Sequence, residues 1–131
     1  PTHLPMPHNQ ANQSQLRIWQ QNCRKSLINQ SHVVNSLDPQ VYDICCIQEP
    51  YIDFLGNTRA PTGWIVVYPP ARYENRERIR SVILLSPRLR TSHWIDLRVN
   101  SPDITAIQLR GDFGTIQLFN AYIDCEHSRA L

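Results

Sequence analysis

An asparagine, a glutamate and a tyrosine stand where three apolar segments of this chain run out. Asn22 closes Leu16-Arg17-Ile18-Trp19-Gln20-Gln21, and Glu49 closes Tyr42-Asp43-Ile44-Cys45-Cys46-Ile47-Gln48. Tyr122 closes a third segment that begins at Thr115 and ends in Phe119-Asn120-Ala121. In an open α/β sheet, functional groups collect at the carboxyl ends of strands, where backbone pairing stops and side chains face a crevice. An amide and a carboxylate delivered there together suit a hard cation bound to phosphate. Magnesium takes oxygen ligands and keeps several waters, so one or two protein carboxylates plus a substrate phosphate are enough to hold it. A tyrosine hydroxyl at a third strand end offers the phosphate a further hydrogen bond. Each residue also has an ordinary structural use: an Asn after a strand caps a turn, a strand-end Glu is a surface charge, and a Tyr packs on a sheet edge.

Other chemistry-bearing residues carry less. Cys125, Glu126 and His127 can each ligate a metal, but they lack the paired spacing of a zinc site. Arg110-Gly111-Asp112 matches an adhesion tripeptide and Asp112-Phe113-Gly114 a kinase triplet, and the two overlap in one turn. None of the other kinase elements is present, so both read as chance matches.

The elements that must position the strand ends follow from periodicity. From Ser26 to Leu37 the apolar residues Leu27, Ile28, Val33, Val34 and Leu37 include 27/34 and 33/37 spacings, which predict a helix that Asp38-Pro39 ends. Ile44 to Ile47 is a continuous apolar run, the pattern of a strand covered on both faces. The opening is therefore β-α-β, which favours parallel pairing of its two strands. Further strands are expected over Trp64–Tyr68, Ser81–Leu85, Ser92–Leu97, Ile104–Leu109 and Thr115–Tyr122. Pro69-Pro70 and Ser86-Pro87 punctuate them, and residues 110–114 form a hairpin turn. The fold class is α/β (α+β), with a mixed sheet and one helix-covered face.

Composition sets the outer bounds. The 131 residues amount to one domain, and 41% of them are hydrophobic, enough for a core. Pro1 to Gln15 carries three prolines and then mostly Asn, Gln and Ser; with nothing to bury, residues 1–15 read as a disordered lead to a domain over 16–131. No apolar run approaches the ~20 residues of a membrane span, and no secretory signal pattern opens the chain. Four cysteines (Cys23, Cys45, Cys46, Cys125) show no CxxC spacing, and adjacent Cys45 and Cys46 must point to opposite faces of their strand. Buried reduced thiols are the reading, which favours an intracellular compartment. Net charge is only +2, yet seven arginines (72, 76, 78, 80, 88, 90, 98) fall within one stretch. That stretch is either a solvated loop of mixed charge or a basic rim that steers a polyanion, with arginine suited to bidentate phosphate contacts.

With these residues in hand, the chain resembles the first half of an endonuclease/exonuclease/phosphatase domain, the DNase I-like fold. It is closest to the endonucleases of fungal non-LTR (LINE-type) retrotransposons. The resemblance is carried by Leu16 to Ser26, by Tyr42 to Asp53 with its Ile47-Gln48-Glu49-Pro50 centre, by Arg80 to Leu85, by Asp103 to Leu109, and by Phe119-Asn120-Ala121-Tyr122. It implies one half of a four-layer α/β sandwich, of which this chain would supply mainly one sheet. It also implies catalytic roles for Asn22, Glu49 and Tyr122: Asn22 would help bind the scissile phosphate and the metal, Tyr122 would contact the phosphate, and Glu49 would ligate Mg2+ (or Mn2+). The reaction implied is metal-assisted phosphodiester hydrolysis, nicking nuclear DNA so that the exposed 3′ hydroxyl primes reverse transcription.

The family's second half would add an Asp-x-Asn pair, a further Asp and a terminal Asp-His pair, none of which has a counterpart in this sequence. His127, only five residues after Tyr122, comes too early to be the catalytic histidine. The expectation is thus a truncated, metal-dependent endonuclease domain with negligible nicking activity alone, whose partners are DNA and a complementing C-terminal half, and no membrane. Two other readings stay open: a phosphodiesterase of the same superfamily acting on RNA or a phosphorylated small molecule, and a non-catalytic nucleic-acid-binding module built on the arginine-rich stretch.

Overall fold

The computed structural model describes residues 15–73, 79–89 and 91–123. Most of the expected lead, the Cys125-Glu126-His127 cluster, and Arg76, Arg78 and Arg90 lie outside those residues. The chain runs β1 (Ile18–Asn22), α1 (Leu27–Ser36), β2 (Ile44–Gln48), β3 (Ile65–Val67), β4 (Ser81–Leu85), β5 (Trp94–Asp96), β6 (Ile104–Gly111) and β7 (Gly114–Ala121). The β-α-β start is present, with β1 parallel to β2 and Asn22 opposite Gln48 at the carboxyl ends. β4 pairs antiparallel with both β2 and β3, giving a mixed sheet in the order β1-β2-β4-β3.

The expectation of mainly one sheet is corrected here, because the later strands form a second, antiparallel sheet, β5-β6-β7. The reason is edge occupancy. β2 already lies on one edge of β4 and β3 on the other, so the chain leaving β4 has no adjacent edge to join. It turns at Ser86-Pro87 and starts a new layer. β6 and β7 then close a tight hairpin between Gly111 and Gly114, with Gly114 in the left-handed region at φ +96, which absorbs both of the overlapping tripeptides.

Every residue of β2 and β4 is buried, as a continuous apolar run predicts. Period-two alternation sends Cys45, Ile47, Val82 and Leu84 to one face, where they meet Val33, Leu37, Trp64 and Ile79. Ile44, Cys46, Ile83 and Leu85 go to the other and meet Ile107 and Leu109 of the second sheet. The result is three layers: helix, mixed sheet, antiparallel sheet. Burying each such Ile, Leu or Val contributes about 1.5–3 kcal/mol. At the end of the sheet away from the strand-end residues, Arg17 grips the buried carboxylate of Asp43 through both Nε (3.1 Å) and Nη2 (2.9 Å).

α1 begins where Ser26 Oγ accepts a hydrogen bond from the Asn29 backbone N–H (3.1 Å). Of the two predicted spacings, 33/37 lies on the buried face and 27/34 does not. Gln30, Val33 and Leu37 are buried, whereas Leu27 is 40% and Ile28 72% exposed. Gln30 decides the rotation. Its Nε2 donates to Thr58 Oγ1 (2.6 Å) and the Arg59 carbonyl (2.8 Å), and its Oε1 accepts from the Tyr51 N–H (2.7 Å). A buried backbone N–H and carbonyl must find partners, and this amide supplies both for the loop that follows Glu49. Gln30→Leu is therefore expected to cost about 2–3 kcal/mol, since it leaves buried groups unpaired, while Ile28→Ser changes stability by less than about 0.5 kcal/mol. Equal shifts in their urea-unfolding midpoints would contradict this assignment.

Cys23, Cys45 and Cys46 are free, buried thiols, in line with the reading from sequence. Burial pushes Cys23 from 9.0 up to about 11 and Cys46 to about 12, and raises Cys45 as well. A folded-state pKa above the unfolded one means the stabilisation is complete below about pH 8.5 and is lost as pH rises through the folded values. The urea midpoint should therefore fall between pH 9 and 11, and Cys23→Ala should flatten that fall; an unchanged pH profile in the variant would refute it. Among the described residues no helix is long and apolar enough to cross a membrane.

Candidate functional site

The carboxyl ends of β1, β2 and β7 meet at one end of the two sheets. Asn22 and Tyr122 line the same open groove of about 550 Å³, together with Gln20, Gln48 and Asn120. Glu49 does not line that groove; it lies one strand along, half-buried, and is joined to the others through the backbone. The Cys23 N–H donates to the Gln48 carbonyl (2.9 Å), and the Lys25 N–H to the Glu49 carbonyl (2.7 Å). The Glu49 N–H in turn donates to the Arg80 carbonyl (2.9 Å). Those bonds hold an uncommon backbone: Arg24 (φ 53), Lys25 (φ 60) and Glu49 (φ 50) are all non-glycine residues in the left-handed region. Such residues cost on the order of 1 kcal/mol or more and persist only where the surroundings over-determine them.

The side chains divide the work. Asn22 Oδ1 accepts from the Arg24 N–H (2.9 Å), so its turn-capping role is real. Its Nδ2 makes no hydrogen bond among the described residues and keeps two donors. The Glu49 carboxylate likewise has no hydrogen bond or ion pair among the described residues. Among those residues no cluster of three or more His, Cys, Asp and Glu side chains is arranged to hold a metal. One uncommitted carboxylate, at the residue that follows the backbone partner of Asn22, fits a hard cation that keeps its waters and takes further oxygens from phosphate. It does not fit a zinc site, which needs four protein ligands or three with one open position.

Beneath these residues lies a polar layer that the sequence reading did not single out. Asn120 Nδ2 donates to the carbonyls of Ile47 (2.9 Å) and Val82 (2.8 Å), crossing from the second sheet into the first. Its Oδ1 accepts from Gln48 Nε2, and Gln48 Oε1 accepts from Gln20 Nε2. Ser81 Oγ donates to the Asn120 carbonyl (2.7 Å), and Thr105 Oγ1 to Ser81 Oγ (2.9 Å). Gln48, Ser81, Thr105 and Asn120 are all buried. The available signal was an amide in an otherwise apolar strand, since a buried polar residue needs a partner.

Arg80 ties Tyr122 to Glu49. Its carbonyl takes the Glu49 N–H, its guanidinium forks onto Asp103 (2.7 and 3.1 Å) and it lies 5.0 Å over the Tyr122 ring. The Asp103 carbonyl accepts the Tyr122 N–H (2.8 Å). The other described arginines are spread over the surface: Arg72 covers the Tyr68 ring at 3.7 Å, and Arg88 Nη1 donates to Gln40 Oε1 (3.0 Å) beyond the opposite end of β4. Arg72 and Arg98 line one cavity, which Asp96 also lines.

No protein-family model matches this sequence, and no curated protein matches it. Among solved structures it is similar to the endonuclease domain of TRAS1, a telomere-specific non-LTR retrotransposon, with a TM-score of 0.63 over 84% of this chain at 17% identity. The likeness is one of fold, and to part of that domain. The chain spans 45% of the length of that TRAS1 domain; its helix and mixed sheet agree with the partial DNase I-like arrangement that the resemblance implied, and the second sheet adds to it.

Two variants probe how this fold holds its strand ends. Asn120→Ala strands two buried carbonyls and one amide, and should cost about 3 kcal/mol in urea unfolding. Glu49→Gly should be more stable than Glu49→Ala by about 1 kcal/mol, because glycine accepts the left-handed backbone without strain. The reverse order would show that the Glu49 backbone is not held as described.

Proposed function

We propose that this chain is the first part of a metal-dependent phosphodiester-cleaving endonuclease domain acting on DNA, with Asn22, Glu49 and Tyr122 as its contribution to the active site. The observation that carries the reading is the uncommitted Glu49 carboxylate, fixed on a strained backbone next to the strand end that presents Asn22. Glu49 would supply the carboxylate oxygen for Mg2+ or Mn2+, and such a cation stabilises negative charge on the phosphate and leaving oxygen. Asn22 Nδ2 would donate to a non-bridging phosphate oxygen, and the Tyr122 hydroxyl to another. Arg80 and Asp103 keep Tyr122 in place.

The sequence contains no Asp-x-Asn or Asp-His pair, so its own groups bind and orient a phosphate without a general base to activate water. The remaining acidic groups would come from a complementing half of the domain. Among the described residues β1 and β7 each lie at a sheet edge with one open side, and Ile18 (42%), Phe119 (54%) and Ile123 (70%) are exposed along the groove between them. That surface is where the complementing half would seat. The binding-module reading is the weaker, because Arg72, Arg80 and Arg88 are engaged in separate contacts of their own fold.

Fluorescence anisotropy on a labelled DNA duplex tests the proposal. In EDTA, Glu49→Gln should bind at least as tightly as the wild type, since a carboxylate repels the backbone. Adding Mg2+ should tighten wild-type binding several-fold and leave Glu49→Gln unchanged, while plasmid nicking by either stays at background. Mg2+ having the same effect on both proteins would refute the metal role of Glu49. Stronger competition by RNA or inositol phosphates than by DNA would redirect the substrate class.

A further inference from the structure

We propose that the tip of the loop after Glu49, Phe54 with Leu55, is an apolar wedge that enters duplex DNA and unstacks a base step beside the phosphate held at Glu49. This rests on the nuclease reading above and adds a surface that reads or deforms the duplex.

The first observation is an apolar pair displayed on a closed frame. Phe54 is 85% and Leu55 58% exposed, and Phe54 is the most exposed of the large apolar side chains among the described residues. A phenyl ring on a slack loop would fold back onto the adjacent core. Here the backbone prevents it. Asp53 Oδ1 accepts from the N–H groups of Leu55 and Asn57 (2.9 Å each), the Asp53 N–H donates to the Asn57 carbonyl (2.9 Å), and the Gly56 N–H donates to the Asp53 carbonyl (2.9 Å). Gly56 makes the turn at φ +85. At the loop base, Thr58 Oγ1 donates to the Tyr51 carbonyl (2.6 Å), the Thr58 N–H to the Tyr68 hydroxyl (2.9 Å), and Gln30 clasps both strands of the loop.

The second observation is charge. Lys25, Asp53 and Phe54 line one cavity of about 400 Å³, with Pro50, Tyr51, Ile52 and Ile79 completing its wall. On the loop's other side, Arg72 donates to Asn57 Oδ1, and Arg59 is exposed. Cations thus flank the apolar tip, Lys25, Arg59 and Arg72 outnumbering the one acidic group within the loop, Asp53, whose Oδ1 accepts from the loop's own N–H groups. An apolar side chain between Lys and Arg is the chemistry of proteins that wedge between base pairs and grip the adjacent phosphates.

The third is reach. Phe54 follows Glu49 by five residues, a separation of at most about 17 Å. At ~3.4 Å per step along one strand, a phosphate at Glu49 and a base step at Phe54 fall within about half a turn of the same duplex.

The test uses the whole 131-residue chain and duplexes carrying 2-aminopurine at one position at a time, with anisotropy reporting binding and 2-aminopurine fluorescence reporting unstacking. The wild type should raise the fluorescence several-fold at one or two adjacent positions only. Phe54→Ser with Leu55→Ser should weaken binding on the order of ten-fold, keep the salt dependence and abolish the rise. Phe54→Trp should preserve the rise, and Ile95→Ser, an exposed apolar residue on β5, should change neither signal. Lys25→Gln should lower the salt slope by about one. Binding without a rise at any position, or a rise that survives the double substitution, overturns the wedge while leaving the nuclease reading intact. No duplex binding by the wild type at low salt overturns both.

Discussion

The amide of Asn120 is the contact on which this arrangement depends. It projects from the second sheet and donates to carbonyls of two strands of the first, Ile47 of β2 and Val82 of β4. Apolar packing between Ile44, Cys46, Ile83, Ile107 and Leu109 holds the sheets together but is tolerant of small slides. Two hydrogen bonds from one planar group are not. Fully satisfied buried networks of this kind favour one arrangement over near alternatives, so the cross-sheet register is set at the end where the chemistry would occur.

The network has a regular relation to the strand-end residues above it. Gln20 precedes Asn22 by two positions and Asn120 precedes Tyr122 by two, so each pair shares a face of its strand. Gln48 immediately precedes Glu49, whose left-handed backbone turns its side chain out of the strand's alternation. The three residues named for phosphate chemistry therefore each stand on an amide tied to the next strand. Arg80 closes the arrangement from outside by joining the Glu49 backbone, Asp103 and the Tyr122 ring. The same logic extends past Glu49, where Gln30 fixes the loop that carries Phe54.

Much of this was legible in the sequence wherever the signal is local. β4 is found over the expected residues, and β1, α1, β2 and the final hairpin differ from expectation by a few residues at their ends. The opposite facing of Cys45 and Cys46 follows from strand period alone. What was not legible depends on distant partners. The division into two sheets comes from both edges of β4 being occupied, which no window of sequence reports. The rotation of α1 comes from Gln30 serving Tyr51, Thr58 and Arg59, residues 21 to 29 positions away. Composition leaves the arginine-rich stretch open between a mixed-charge loop and a basic rim, because it counts charges without showing that Asp103 meets Arg80.

The most direct test of the account is to titrate Mn2+ into the 15N-labelled chain and follow which backbone amides broaden. Broadening should be confined to Asn22, Cys23, Glu49, Tyr51 and their strand-end neighbours, and should disappear in Glu49→Gln with the rest of the spectrum unchanged. Broadening centred elsewhere, or persisting undiminished in Glu49→Gln, would contradict the claim that these strand ends form one cation- and phosphate-binding site.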